Sequence, residues 1–141
     1  MNILILDDDP TIVELIHTAI VARFRNQITI GAFTNTADAY EYASGKTIDL
    51  AFLDMKMPSE DGYEFMRRLN GHLKSVRFIT GMGSSVKKAL TQPETKDKKI
   101  KIYEKPFKTS AILKDVENAL TNWMLLDMIA SLEHTRAYCA R

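Results

Sequence analysis

Asn2-Ile3-Leu4-Ile5-Leu6-Asp7-Asp8-Asp9-Pro10 is the stretch that decides the fold. Its apolar run has no polar alternation, so it reads as a strand buried on both faces, the pattern of a parallel sheet. Three acids end the run abruptly. Asp9 is suited to cap a helix and Pro10 to fill its first turn, where a missing N–H costs nothing. Ile12, Leu15, Ile16, Ala19, Ile20 and Phe24 then recur at helical spacing, which predicts an amphipathic helix over residues 10–25.

The same unit repeats outward from that start. Residues 28–33 form a second apolar run. Thr34, Asn35 or Thr36 opens a second helix carrying Ala39, Tyr40 and Ala43, closed by Ser44-Gly45. A third run, residues 48–53, ends at Asp54, and Pro58 and Gly62 bracket the loop that follows. Tyr63, Phe65, Met66 and Leu69 predict a third helix to about residue 73. Residues 76–79 predict a fourth strand ending at Thr80-Gly81, and a weak helix is expected over 84–90, stopped near Pro93. Residues 100–103 predict a fifth strand ending at Lys105-Pro106-Phe107, and a last helix starts near Thr109 or Ser110. Strands alternating with helices imply right-handed βαβ units and helices on both faces of a parallel sheet. The expected fold class is α/β: a five-stranded, flavodoxin-like doubly wound sheet of order 2-1-3-4-5 with a C-terminal helical extension. The expected division is a domain over 1–121 and a helical extension over 122–141.

The 141 residues suffice for one domain with a core of its own. Lys plus Arg is 19 and Asp plus Glu is 18, so no overall basic bias toward nucleic acid exists. The neutrality is unevenly built: residues 1–64 carry 11 acids and 4 bases, and residues 86–108 carry 8 lysines against 3 acids. The single cysteine, Cys139, rules out an internal disulfide, and His17, His72 and His134 are scattered at no metal-ligand spacing. No segment is long and apolar enough to span a membrane, and no signal peptide precedes the acids, so a soluble cytoplasmic protein is expected.

In open α/β sheets, sites form at the carboxyl ends of the strands. Strand 1 ends in Asp7, Asp8 and Asp9, strand 3 in Asp54, strand 4 in Thr80, and strand 5 leads into Lys105. Order 2-1-3-4-5 brings Asp7, Asp8 and Asp54 together. Carboxylates so placed repel one another and call for a cation, and an all-oxygen set suits Mg²⁺, with Mn²⁺ as an alternative. A hydroxyl and an ammonium on the same rim suit phosphoryl oxygens. Neither GxxxxGK[ST] nor GxGxxG occurs, so the phosphoryl chemistry carries no nucleotide fingerprint.

These pieces resemble the receiver domain of two-component response regulators, the CheY-like superfamily, over about residues 1–120. The matching segments are Ile3-Leu4-Ile5-Leu6-Asp7-Asp8-Asp9-Pro10, Asp54-Met55-Lys56-Met57-Pro58 with Asp61-Gly62, Thr80-Gly81, and Tyr103-Glu104-Lys105-Pro106-Phe107. The resemblance implies that Asp54 is the phosphoacceptor, taking the group from a phosphohistidine on a sensor histidine kinase or a histidine phosphotransfer protein. It implies that Asp7 and Asp8 form the acidic pair, with Asp8 a direct Mg²⁺ ligand and the Lys56 backbone carbonyl another. Lys105 would bind the phosphoryl group, across a bond to Pro106 that is usually cis in the family. Thr80 would hydrogen-bond the phosphoryl oxygens, and Tyr103 would turn inward with it. The expected protein is a switch that catalyses only its own phosphorylation and dephosphorylation, not a turnover enzyme.

A second class also fits the opening acids. Asp7-Asp8-Asp9-Pro10-Thr11 matches the D-x-D-x-T start of haloacid-dehalogenase-like phosphatases, with Asp7 as nucleophile and Asp9 as acid/base. That family needs a further acidic pair after its lysine, and here Asp115, Glu117, Asp127 and Glu133 follow in helical pattern; it also leaves Asp54 without a role. A degenerate receiver serving only for docking is disfavoured by the intact Asp8, Asp54, Thr80 and Lys105.

The chain departs from the receiver pattern in two places. Between Gly81 and Tyr103, Pro93 interrupts and Lys96, Lys98, Lys99 and Lys101 crowd together, either a solvated lysine loop or a docking surface for an acidic partner. Lys56 and Met82 occupy positions where the family tunes phosphoryl lifetime. In the tail, Trp123, Met124, Leu125, Leu126, Met128, Ile129 and Leu132 continue the apolar pattern with no Gly or Pro between Thr109 and Arg141. Positions 116, 119, 123, 126 and 130 approximate an a/d seam, but two heptads are too few to make a coiled coil. Three roles stay open for this tail, in order of preference: a homodimer through this helix or through the 84–108 face, packing back on the domain, and a linker to an output domain; no nucleic-acid or membrane contact is expected in this chain.

Overall fold

The computed structural model describes residues 1–81 and 99–140. Among the described residues, five strands and four helices follow in the order β1 (Asn2–Leu6), α1 (Pro10–Phe24), β2 (Thr29–Phe33), α2 (Thr36–Ser44), β3 (Leu50–Asp54), α3 (Gly62–Arg68), β4 (Ser75–Thr80), β5 (Lys99–Glu104) and α4 (Thr109–Cys139). The strands form one parallel sheet of order β2-β1-β3-β4-β5, as the sequence predicts. The expected helix at 84–90, Met82 and the lysines at 96 and 98 lie outside the described residues. Lys99 and Lys101 belong to β5.

The strand period of two sorts each apolar run onto two helical layers. Ile3, Ile5, Leu50, Phe52, Ile79 and Tyr103 face α1 and α4, where they meet Val13, Ile16, Ile20, Ile112, Val116 and Leu120. Leu4, Leu6, Ala51, Leu53, Val76 and Phe78 face α2 and α3, where they meet Ala39, Ala43, Phe65 and Met66. Burial on both faces is why these strands read as unbroken apolar runs.

Side-chain caps fix where the helices start. Asp9 accepts from the Thr11 N–H at 2.9 Å with Pro10 at the start of α1, Asn35 accepts from the Asp38 N–H at 2.9 Å, and Asp61 accepts from the Glu64 N–H at 2.7 Å. Each satisfies an N–H that has no partner inside its helix. Asp9 therefore serves as the cap expected of it.

Two element bounds differ from expectation, and the expected domain division lies within a continuous helix. β3 begins at Leu50; Ile48 instead makes a single bridge to Leu73. α3 stops at Arg68 rather than near residue 73, and the chain reverses through Gly71 at φ 88°, a conformation that favours glycine. The expected boundary at 121/122 falls inside α4, one 31-residue helix.

α4 has two unlike halves. Ile112, Asp115, Val116 and Leu120 are buried against the sheet, and Ala119 and Trp123 pack beside them. From Met124 to Ala140 every residue is exposed. At about 100° per residue, Met124, Leu125, Met128, Ile129 and Leu132 form a stripe on the side of the helix opposite the buried one. The expected seam through 116, 119 and 123 is thus used up in packing the domain, and the exposed apolar stripe is a different one. No helix among the described residues is long and apolar enough to cross a membrane.

Candidate functional site: an acidic pocket at the carboxyl edge of the sheet

The site is assembled by adjacency of strand ends. β1 and β3 pair directly, so the residues that follow Leu6 and Leu53 come out side by side. Asp7 is fully buried, Asp54 nearly so, and Asp8 is exposed at the mouth. Their carboxylate oxygens lie within 4.8 Å of one another. Among the described residues this is the carboxylate cluster able to hold a metal ion. Mutually repelling carboxylate oxygens, two buried and one at the mouth, are a donor set that suits a hard divalent cation such as Mg²⁺.

The protein's own cation is Lys105. Its Nζ donates to Asp7 Oδ2 at 2.8 Å and lies 3.5 Å from Asp54 Oδ1. The Lys105 N–H donates to the Thr80 carbonyl at 2.8 Å, which ties the loop after β5 to the end of β4. The Lys105–Pro106 peptide bond is cis, as the resemblance leads one to expect.

The opposite rim is the loop after Asp54. The Lys56 N–H approaches Asp54 Oδ1 at 3.5 Å. The Gly62 N–H donates to the Met55 carbonyl at 3.2 Å, bringing α3 back against β3. A Cβ on Gly62 would stand 2.4 Å from the Asp54 carbonyl oxygen, so only glycine allows this approach. At the top of Asp7, the Asp9 N–H donates to Oδ1 at 2.9 Å.

The electrostatics follow from this packing. Burial pushes the Asp54 carboxyl up to about 6, and the Asp7 charge and a hydrogen bond with Asp8 add to it. Lys105 and the Lys56 N–H pull the other way without cancelling the rise. Burial by itself would lower the Lys105 ammonium, but Asp7 and Asp54 outweigh it and hold its pKa above the usual lysine value.

Thr80 and Tyr103 lie on neighbouring strands beside the pocket. Asp54 pairs with Ile79, and Ile79 pairs with Tyr103. Thr80 is buried at the carboxyl end of β4. Tyr103 is already inward: it is buried, and its hydroxyl donates to Asp115 Oδ2 at 2.8 Å and to the Ala111 carbonyl at 3.3 Å. The expectation that Tyr103 turns inward together with Thr80 therefore meets a side chain that has its inward partners in place.

One feature escapes a reading of motifs. Arg77, in the middle of β4, forms a two-pronged ion pair with Asp115 of α4: Nε to Oδ2 at 2.6 Å and Nη2 to Oδ1 at 3.1 Å. Only the 38-residue separation closed by the β4–β5–α4 fold brings them together. An isolated Arg in an otherwise apolar strand was the available signal.

A concavity of about 380 Å³ lies at the other edge of the sheet, beside Met1, Asp49, Ser75, Lys99 and Trp123. It is the gap under α4 where the strands begin; Lys74, Arg77 and Asp115 line it too, with Lys74 paired to Asp49 and Arg77 to Asp115.

Residues 3–117 match the model of the response regulator receiver domain. Among curated proteins, the chain is 33% identical over 73 residues to response regulator GtcR of Aneurinibacillus migulanus; the match covers 52% of this chain and 29% of that protein. It thus spans under a third of that relative's length. Among solved structures, it is similar to a two-component response regulator from Clostridium difficile (TM-score 0.70, 18% identity, covering 86% of this chain and 96% of that one). It is similar also to a CheY-like receiver domain protein from Methanospirillum hungatei JF-1 (TM-score 0.65, 18% identity, 86% and 94% covered). A third is response regulator TrrA of Thermotoga maritima, solved in complex with Mg²⁺-BeF (TM-score 0.62, 21% identity, 84% and 97% covered).

Proposed function

The chain belongs to the response regulator receiver domain family, and on that premise we propose that it is a switch driven by phosphorylation of Asp54. The observation that carries the reading is the convergence of Asp7, Asp8 and Asp54 within 4.8 Å, with Lys105 in contact with two of the three. The donor is a phosphohistidine on a sensor histidine kinase or a histidine phosphotransfer protein. An Asp54 carboxylate oxygen forms a bond to phosphorus as the phosphorus–nitrogen bond to the imidazole breaks. The chain acts on itself alone, in both gain and loss of the group, and is not a turnover enzyme.

Each residue has a task in that step. Asp54 must be ionised to attack, and a pKa of about 6 leaves it mainly so at neutral pH. Asp8, Asp7, Asp54 and the Lys56 carbonyl are the groups that would hold Mg²⁺, or Mn²⁺ in its place; the bound ion supplies charge neutralisation at the transferring group. Lys105 stands where a phosphoryl oxygen on Asp54 would emerge and meets the charge of roughly −1.5 to −2 that the group adds. Thr80 takes a phosphoryl oxygen, and its movement is passed to Tyr103 across the β4–β5 pair.

The output rests on α4. Its free half presents Met124, Leu125, Met128, Ile129 and Leu132 as one apolar stripe with no charged residue inside it. Leu125, Met128 and Leu132 follow heptad spacing, with uncharged Met124 and Ile129 flanking them. That pattern is self-complementary, so the partner is a second copy of this chain. The stripe faces away from the chain's own core, which prevents it from folding back.

The test is Mg²⁺-dependent binding of beryllofluoride, followed by ¹⁹F NMR. A bound signal that needs both Mg²⁺ and Asp8 supports the reading. A bound signal that persists in D54A would contradict it.

A further inference from the structure

Asp115 is an expensive residue to keep. It is 8% exposed, as is Arg77, and Tyr103 is 7% exposed. A buried ion pair gains little over a well-packed apolar pair, because both charges lose water. What such a pair does contribute is geometry, since its hydrogen bonds hold only in one arrangement. Here one carboxylate joins three elements. Oδ1 accepts from Arg77 Nη2 of β4; Oδ2 accepts from Arg77 Nε and from the Tyr103 hydroxyl of β5; the carboxylate itself sits on α4. Arg77 is anchored in turn, with Nη1 donating to the Val76 carbonyl at 3.2 Å and the Lys99 carbonyl at 2.9 Å. Every donor of this cluster is aimed, so none is free to follow Tyr103 if it moves.

From this we infer that Asp115 is a positioning residue for the switch: it latches Tyr103 in the inward orientation and ties that orientation to the root of α4. The inference rests on the reading of Tyr103 as a switch residue. For Tyr103 to leave, its hydroxyl must give up Asp115 and the Ala111 carbonyl, both on α4, and a buried carboxylate loses one of its donors. Coupling of this kind is reciprocal. What biases Tyr103 also biases the position of α4, and a partner that grips α4 biases Tyr103 and, through β4, the phosphoryl site. The groups facing the latch agree with a tightly held arrangement. Burial and the Asp115 charge raise the Tyr103 phenol far above its usual range. The bonds from Arg77 and Tyr103 more than offset burial and lower Asp115.

Trp123, the single tryptophan, lies eight residues beyond Asp115 on the same helix and packs at the edge of the same core. It is a built-in reporter of α4. The experiment uses the full chain as wild type, Y103F, D115N and the double variant, each with Mg²⁺ and a small-molecule phosphodonor. Phosphoryl uptake on Asp54 is read by intact mass, the Trp123 fluorescence change on uptake by emission, and the Tyr103 ring by NMR of tyrosine-labelled chain. The expected result is uptake within about twofold of wild type in both single variants, with the Trp123 change at least halved in each. The double variant is expected to lose no more than the worse single one, because both remove the same link. In D115N the Tyr103 ring signal, identified by its loss in Y103F, is expected to move toward its exposed position before any phosphorylation. A full Trp123 response in Y103F, or additive losses in the double variant, overturns the inference. If D115N does not fold, Y103F decides alone, since it removes a single oxygen. If wild type takes up no phosphoryl group, the switch reading fails instead, and the unphosphorylated Tyr103 signal in D115N still decides the latch.

Discussion

Lys105 Nζ stands 2.8 Å from Asp7 Oδ2, joining the end of β1 to the loop after β5 across 98 residues of sequence. Asp7 is fully buried, so this ammonium is what makes its charge tolerable in the absence of a bound cation. Replacing it with K105M therefore has two consequences. Phosphoryl uptake on Asp54 falls by roughly 10²-fold, the cost of losing one preorganised donor at the reacting group. The metal-free fold loses about 1–3 kcal/mol, because a buried carboxylate loses a partner. Urea denaturation with and without Mg²⁺ checks the second effect: the ion is expected to recover most of the loss.

Asp54 carries the opposite kind of burden. Burial and the Asp7 charge hold its carboxyl up at about 6 in the folded chain, against the ordinary aspartate value of 3.8. A carboxyl whose folded pKa is raised binds its proton more tightly in the native state, so stability falls as pH rises between those two values and stays low above them. Removing the charge with D54N is expected to raise the metal-free unfolding free energy at pH 7 by up to about 3 kcal/mol. At pH 4 the gain is expected to vanish. Chemical denaturation at the two pH values, with chelator present, measures it.

Asp115 behaves in the reverse sense. Its folded pKa is lowered, since Arg77 and Tyr103 outweigh burial. The stability it contributes is therefore present above the ordinary aspartate pKa and lost as pH falls through the lower folded value. D115N leaves the Arg77 guanidinium buried with only backbone partners, and is expected to cost about 3–5 kcal/mol at pH 7. The gap between D115N and wild type is expected to narrow below about pH 4. A pH series of unfolding midpoints for the two chains reads this directly.

The free half of α4 gives a prediction about assembly. A helical segment of 16 residues, Met124 to Cys139, with one apolar side is marginal alone in water. Wild type is expected to sediment as a dimer, and Leu125→Glu together with Leu132→Glu, which places charges in the stripe, is expected to leave the chain monomeric at the same concentrations. The folded receiver is expected to be unaffected, because neither side chain touches the core. Val116→Glu, on the face that packs the domain, is expected instead to unfold it. Sedimentation and circular dichroism distinguish the two faces.

How much of this was legible beforehand depends on the range over which each feature is encoded. The strands announce themselves because Ile3 to Leu6 and Leu50 to Leu53 are buried on both faces and tolerate no polar alternation. Helix starts are written locally, by Asp9, Asn35 and Asp61 within three residues of the N–H each one caps. The acidic pocket is legible because it needs only strand order, and the strand ends carry Asp7, Asp8, Asp54, Thr80 and Lys105. The Arg77–Asp115–Tyr103 cluster is not legible, because a guanidinium in a strand and an acid in a helix declare no partner until three elements are packed together. The use of the apolar positions on α4 is not legible for a related reason. Val116, Ala119 and Trp123 repeat with heptad spacing, yet that periodicity serves the sheet beneath them, and nothing local separates a face used by the chain's own core from one left for a partner.

Asp54, and not Asp7, is proposed to take the phosphoryl group. Peptide mapping by mass spectrometry, after reaction with acetyl phosphate and Mg²⁺ and trapping of the acyl phosphate, locates the modified residue. One phosphoryl group is expected, on Asp54, absent when Mg²⁺ is chelated and absent in D54A. Modification at Asp7, or phosphate release that continues undiminished in D54A, would contradict it and identify the opening acids as those of a phosphatase.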